Sequence, residues 1–120
     1  WKCQFNENAK ILSYSQNLPE LNHNEIMGWN TEVTGRSKFH VIFLRDNDED
    51  PQIIKRIETT KEIIETQNGS FSEVRPTGSS VLTRLFSLLY FGDYTSYYLA
   101  LLLKRDPSRI DNINYLKSKL

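Results

Sequence analysis

The chain has 120 residues, of which 38% are apolar and 12% aromatic, enough for one domain with a core. Fifteen Lys and Arg balance fifteen Asp and Glu. With no basic run to attract polyanions, nucleic acid and anionic membrane are poor partners. The single Cys3 excludes an internal disulfide and fits a reducing cytoplasm. Its only neighbouring cation is Lys2, so it is read as structural. No signal peptide is visible, and the opening residue is Trp1 rather than Met, as in a trimmed chain or a piece of a longer protein.

Residues 1–14 read as helix or helix end, with Phe5, Ala9 and Leu12 at helical spacing. Pro19 interrupts. Asn22 then looks like an N-cap with Glu25 completing a capping box, opening a short helix that carries Ile26, Met27 and Trp29. Phe39 to Leu44 is the clearest strand, nearly continuous in apolar residues, the pattern of a strand covered on both faces. Either a further strand is hidden near Thr31 to Val33, or strands before Trp1 are missing. Asp50-Pro51 predicts a helix start. That helix runs to about Gln67 with Ile53, Ile54, Ile57, Ile63 and Ile64 inward, and Asn68-Gly69 ends it.

Phe71 to Arg75 is a weaker strand, and Pro76-Thr77-Gly78 turns the chain into a long apolar helix, Val81 to Leu103. Its length raises a membrane question. Arg84 and Asp93 answer it, because a charge near a helix centre costs about 2.5–3.5 kcal/mol on insertion. The helix is expected to be buried in the protein or in a subunit interface. Asp106-Pro107 repeats the cap-plus-proline device and opens a last helix with Ile110, Ile113, Leu116 and Leu120 on its apolar side. Strands alternating with helices through short connections predict an α/β fold: a parallel sheet between helices on both faces, a three-layer α/β/α arrangement lacking its first strands.

Several motifs fail on inspection. Asp46, Asp48 and Asp50 match the first acidic positions of an EF-hand loop, but Pro51 stands where Gly is needed and Ile57 where the bidentate Glu belongs. Neither a Walker phosphate loop nor a dinucleotide glycine pattern is present, and two isolated histidines with one cysteine do not build a zinc site. Gly78-Ser79-Ser80 is a turn and helix cap before it is a phosphate cradle. His40, within the apolar strand, reads as a satisfied core histidine.

Two segments carry chemistry. Glu7 lies within Asn6-Glu7-Asn8-Ala9-Lys10 and His23 within Asn22-His23-Asn24-Glu25. If residues 6–10 are helical, Glu7 and Lys10 share a face, and a surface ion pair is the plainer reading. As first residue of a capped helix, His23 would feel the positive end of the dipole, which keeps imidazole neutral and able to exchange a proton; a partly exposed loop histidine is the plainer alternative.

These segments, with Leu18-Pro19-Glu20-Leu21 before the second and Gly28-Trp29 after it, resemble the C-terminal half of the bifunctional phosphoglucose/phosphomannose isomerases. The resemblance continues through His40 to Asp46, Tyr90-Phe91-Gly92-Asp93-Tyr94, Tyr98-Leu99-Ala100, Asp106-Pro107 and Tyr115-Leu116-Lys117, nearly the whole chain. It implies that residues 1–120 are one sugar-isomerase (SIS) domain, flavodoxin-like in build, the C-terminal half of a two-domain cytoplasmic enzyme that works as a homodimer. It implies interconversion of glucose or mannose 6-phosphate with fructose 6-phosphate, without metal or organic cofactor.

By the same resemblance Glu7 is the base that shuttles a proton between C1 and C2, and His23 opens the sugar ring in the partner subunit's active site. Lys117, otherwise a surface residue beside Ile113 and Leu116, assists ring opening. The family's phosphate-gripping loops and its enediolate-steadying arginine belong to the N-terminal domain, so these residues alone are expected to be inactive. A hydroxyl tied to mannose 6-phosphate use has Ser108 as its nearest candidate, but Ile110 stands two turns before Lys117, and the role is not carried over. The rival readings are a sugar-phosphate sensor or dimerisation module on the same fold, and a scaffold assembled through the long helix.

Overall fold

A computed structural model describes residues 1–29 and 39–120. They form α1 (Lys2–Gln4), continued by a π-helical turn (Phe5–Ala9), then β1 (His40–Leu44), α2 (Pro51–Thr66), β2 (Ser70–Val74), α3 (Val81–Leu102) and α4 (Asp111–Lys117). Two short 3₁₀ turns, Glu20–Asn22 and Glu25–Gly28, precede β1. The strand expected near Thr31 to Val33 lies outside the described residues. The chain gathers into two compact units: Trp1–Ser15 with Leu89–Leu120, and Gln16–Leu88.

In the second unit β1 and β2 pair in parallel, His40 against Ser70 through Leu44 against Val74, with α2 as the crossover. This is the βαβ unit that the alternating pattern predicts. Asp50 caps α2 through a bond from the Gln52 N–H (2.7 Å), and Pro51 takes the first helical position, as expected. Asn68 ends α2 in the left-handed region (φ 57°). Its N–H reaches the Glu65 carbonyl and that of Gly69 reaches Ile64 (both 2.9 Å), a Schellman termination. Phe43, Ile57 and Ile64 form the core, with Leu18, Trp29, Val41, Ile53 and Phe71 packed against it. Of the predicted inner face of α2, Ile54 is instead 40% exposed and Thr60 is buried.

Gly69 is required here by space. A Cβ on it would stand 2.6 Å from the Trp29 ring and 2.7 Å from the Ile64 side chain. Gly69→Ala is therefore expected to destabilise by about 1–3 kcal/mol, the ordinary cost of overpacking, read as a lower urea midpoint with unchanged slope.

Other expectations are corrected. β1 is not covered on both faces within the described residues: Phe43 is buried, but Phe39 and Leu44 are exposed, because two strands and one helix do not enclose it. His40 is satisfied without being in the core. It is exposed, and its ring nitrogens meet the Ser70 and Ser72 hydroxyls at 2.8 Å each. The first helix ends at Ala9, with Lys10 left-handed (φ 56°), and Leu12 is exposed. Cys3 is exposed and free, so no packing role supports reading it as structural.

No helix among the described residues is long and apolar enough to cross a membrane. Nor do the described residues bury α3, for Leu82, Leu85, Phe86 and Tyr90 stand exposed along it. Its start is the turn and cap expected: Ser80 Oγ accepts from the Thr83 N–H and Thr83 Oγ1 from the Ser80 N–H (3.1 Å each). Asp106 caps only a turn, accepting from the N–H and hydroxyl of Ser108 (2.9 and 2.6 Å), and α4 begins five residues later at Asp111. The acidic run is occupied by side-chain bonds. Asp46 and Asp48 each bind Arg84 at 2.7 Å, and Asp50 caps α2.

Candidate functional site

Glu7 sits inside the π-helical turn Phe5–Ala9. Such wide turns insert one residue into a helix and recur at functional positions. The carboxamides beside it act as staples. Asn6 Nδ2 donates to the Lys2 and Ser13 carbonyls (2.8 and 2.9 Å), and Asn8 Nδ2 donates to the fully buried Ser96 of α3 (2.9 Å). Gly92 lets this segment approach: a Cβ there would stand 2.6 Å from Trp1 Nε1. Trp1 in turn packs at a tilt against Phe5 and Phe91, at 5.9 Å between centroids for each.

Glu7 lines an open groove of about 610 Å³, together with Asn6, Lys10, Lys104, Arg105 and Arg109. Three of the groove's cations are bonded elsewhere. Lys10 Nζ donates to the Glu7 main-chain carbonyl and to that of Pro107 (3.2 Å for the latter). Arg105 Nη1 donates to the carbonyls of Ala9 (2.9 Å) and Lys10 (2.6 Å). Arg109 pairs with Asp111. The expected Glu7–Lys10 ion pair is thus replaced by a bond to the backbone, because the left-handed turn at Lys10 folds its side chain back over the helix end. Among the described residues the Glu7 carboxylate has no hydrogen bond or ion pair. An exposed, unpaired carboxylate in an open groove can accept a proton from a bound molecule.

Lys117 lies in the same unit, one turn beyond Ile113 on α4, and is exposed. Ile113 lines the groove and Lys117 does not. His23 belongs to the other unit. It is exposed and closes the turn Glu20–Asn22, its N–H bonded to the Glu20 carbonyl (2.9 Å). The N-cap here is Asn24, whose side chain accepts from the Glu25 N–H (2.7 Å). Asn22 instead donates to Thr60 Oγ1 (2.8 Å). His23 therefore precedes the cap, and no helix dipole acts on it in the way the sequence suggests.

Arg105, Lys104 and Arg109 were not legible as groove residues. They follow the long helix in a stretch without periodicity, and only the return of the chain beside Glu7 brings them there.

A model of the bacterial phospho-glucose isomerase C-terminal SIS domain matches residues 1–120. Curated relatives are similar along the whole chain. A bifunctional phosphoglucose/phosphomannose isomerase of Thermoplasma acidophilum is 42% identical over 120 residues, and one of Caldicellulosiruptor bescii is 38% identical over 120. One of Aquifex aeolicus is 36% identical over 121 residues. The chain spans 37%, 35% and 37% of the length of these three relatives.

Proposed function

The chain belongs to the family of bacterial phospho-glucose isomerase C-terminal SIS domains, with a parallel α/β fold, and from that membership we propose that it is the C-terminal domain of a cytoplasmic sugar-phosphate isomerase. The complete protein interconverts glucose 6-phosphate or mannose 6-phosphate with fructose 6-phosphate. Its N-terminal domain holds the phosphate. Its working form is a homodimer, in which each groove receives His23 of the partner subunit.

Glu7 takes the proton from C2 of the open-chain aldose. The C2–H electron pair forms the C1–C2 double bond of a cis-enediol as the aldehyde oxygen is protonated. Glu7 then returns its proton to C1 as the C2 hydroxyl loses its own, which leaves the ketose. Before this, the ring must open, which requires a proton delivered to the ring oxygen and one removed from the anomeric hydroxyl. His23 of the partner subunit does this work, assisted by Lys117. No group in this sequence of steps needs a metal or an organic cofactor.

The observation that supports this reading best is the Glu7 carboxylate, unpaired among the described residues, in a groove where Lys10 and Arg105 are committed to backbone carbonyls. A sensor or scaffold has no use for such a base. The test is a coupled assay of the complete protein and of these 120 residues by themselves. The complete protein is expected to turn over glucose 6-phosphate and mannose 6-phosphate, and the isolated chain neither. Inactivity of the folded complete protein on both sugars would overturn the proposal.

A further inference from the structure

We propose that Arg105 is a positioning residue for the base: its guanidinium, set at the end of α3, fixes the Ala9 and Lys10 carbonyls and thereby the π-helical segment that carries Glu7. This assignment rests on the reading of Glu7 as the proton-transfer group.

The end of a helix leaves carbonyls without intrahelical partners. At the end of the π-helical turn these include Ala9 O and Lys10 O, where the chain swings into the left-handed region at Lys10 (φ 56°). One nitrogen of Arg105, carrying two hydrogens, meets both carbonyls, at 2.9 and 2.6 Å. A charged donor makes these bonds stronger than neutral ones. Arg105 is itself fixed by its backbone. Lys104 adopts φ 54° and its N–H reaches the Leu101 carbonyl (2.9 Å), while the Arg105 N–H reaches Ala100 (2.8 Å). This Schellman turn fixes the point from which the arginine side chain starts. Ala9 and Ala100 are both fully buried, so the two ends joined by Arg105 are well packed. Glu7 is two and three residues from the clamped carbonyls, and its own side chain is exposed.

A base displaced by about 1 Å loses of order 10²-fold in rate. In the complete protein, Arg105→Met, which keeps the stem and removes the donors, is expected to lower kcat by roughly 10- to 100-fold with KM little changed. The isotope effect with substrate deuterated at C2 should rise, because only proton transfer is slowed. Arg105→Lys, which restores a charged donor, should recover much of the rate and lower the isotope effect again. A merely structural residue would reduce kcat in proportion to the folded fraction and leave the isotope effect alone. That result, or wild-type kcat in Arg105→Met, overturns the assignment. Should Arg105→Met not fold, Arg105→Gln, which removes the charged donor, decides by the same comparison with wild type: a raised isotope effect supports the assignment, and an unchanged one overturns it. If Glu7→Gln keeps full turnover, the reading of Glu7 fails and takes this assignment with it. If Glu7→Gln is inactive while Arg105→Met is normal, the Arg105 assignment alone falls.

Discussion

Glu7→Gln in the complete protein is expected to lower isomerase turnover by about 10²–10⁴-fold, the range that a positioned general base contributes, while sugar-phosphate binding changes little. The two side chains are nearly the same size, and no described residue bonds the Glu7 carboxylate, so nothing in the fold should shift with the exchange. What changes is chemical: a carboxamide cannot take a proton from carbon at neutral pH. The measurements are kcat in a coupled assay, retention of product affinity by calorimetry, and wash-in of solvent deuterium at C2. Turnover within a few-fold of wild type would exclude Glu7 as the base. Loss of binding together with activity would point to a structural part for this side chain instead.

Arg45→Ala is expected to cost about 3–5 kcal/mol of stability, as breaking a buried ion pair from one side does. Arg45 follows β1, extends its ladder through an N–H bond to the Val74 carbonyl (2.9 Å), and is only 2% exposed. Its guanidinium grips Glu49 with Nε and Nη2 (2.7 and 2.6 Å), and Nη1 meets Glu73. Lys61 joins through Glu58 (2.8 Å) and Glu73. Removing Arg45 leaves Glu49, itself nearly buried, without its counter-charge.

The same cluster sets an acid limit. The Arg45 hydrogen bonds hold the Glu49 carboxyl below the usual range, against the opposing effect of burial. Glu73 is lowered too, first by Lys61 and then, against burial, by Arg45. A carboxylate whose folded pKa is depressed adds stability above its unfolded value, about 4.3 for Glu. That stability is lost as pH falls through the lowered folded value. Wild-type stability should therefore drop below roughly pH 4. The gap between wild type and Arg45→Ala should shrink there, because the variant has already lost what acid removes. Urea unfolding at pH 7 and at pH 3.5 checks both statements, and a gap that widens in acid would contradict them.

Much of this chain is written in local chemistry. The start of α2 is settled by Asp50 and Pro51, its end by Asn68 and Gly69, and the crossover by the alternation of apolar strand and amphipathic helix, none of which needs a distant partner. Glu7 stood out because a carboxylate flanked by two carboxamides is uncommon in an ordinary helix face. At their polar ends the helices are shorter than the cap signals suggest. Cap signals at Asn22 and Asp106 are real hydrogen-bonding capacity, but Asn22 is drawn to Thr60 and Asp106 to a turn at Ser108. A side chain with several possible partners takes the one that packing brings near, and spacing in the sequence does not say which.

By itself, then, the sequence determined the identity of the main elements, because hydrophobic period, proline and capping residues act over a few positions. Only the tertiary structure decided that α3 returns Arg105 to the carbonyls of Ala9 and Lys10, that Lys10 turns away from the Glu7 carboxylate, and that Arg45 gathers three glutamates around a buried guanidinium. Those contacts join residues far apart in the chain. Their energy depends on distance and desolvation at the meeting point, which no local pattern encodes.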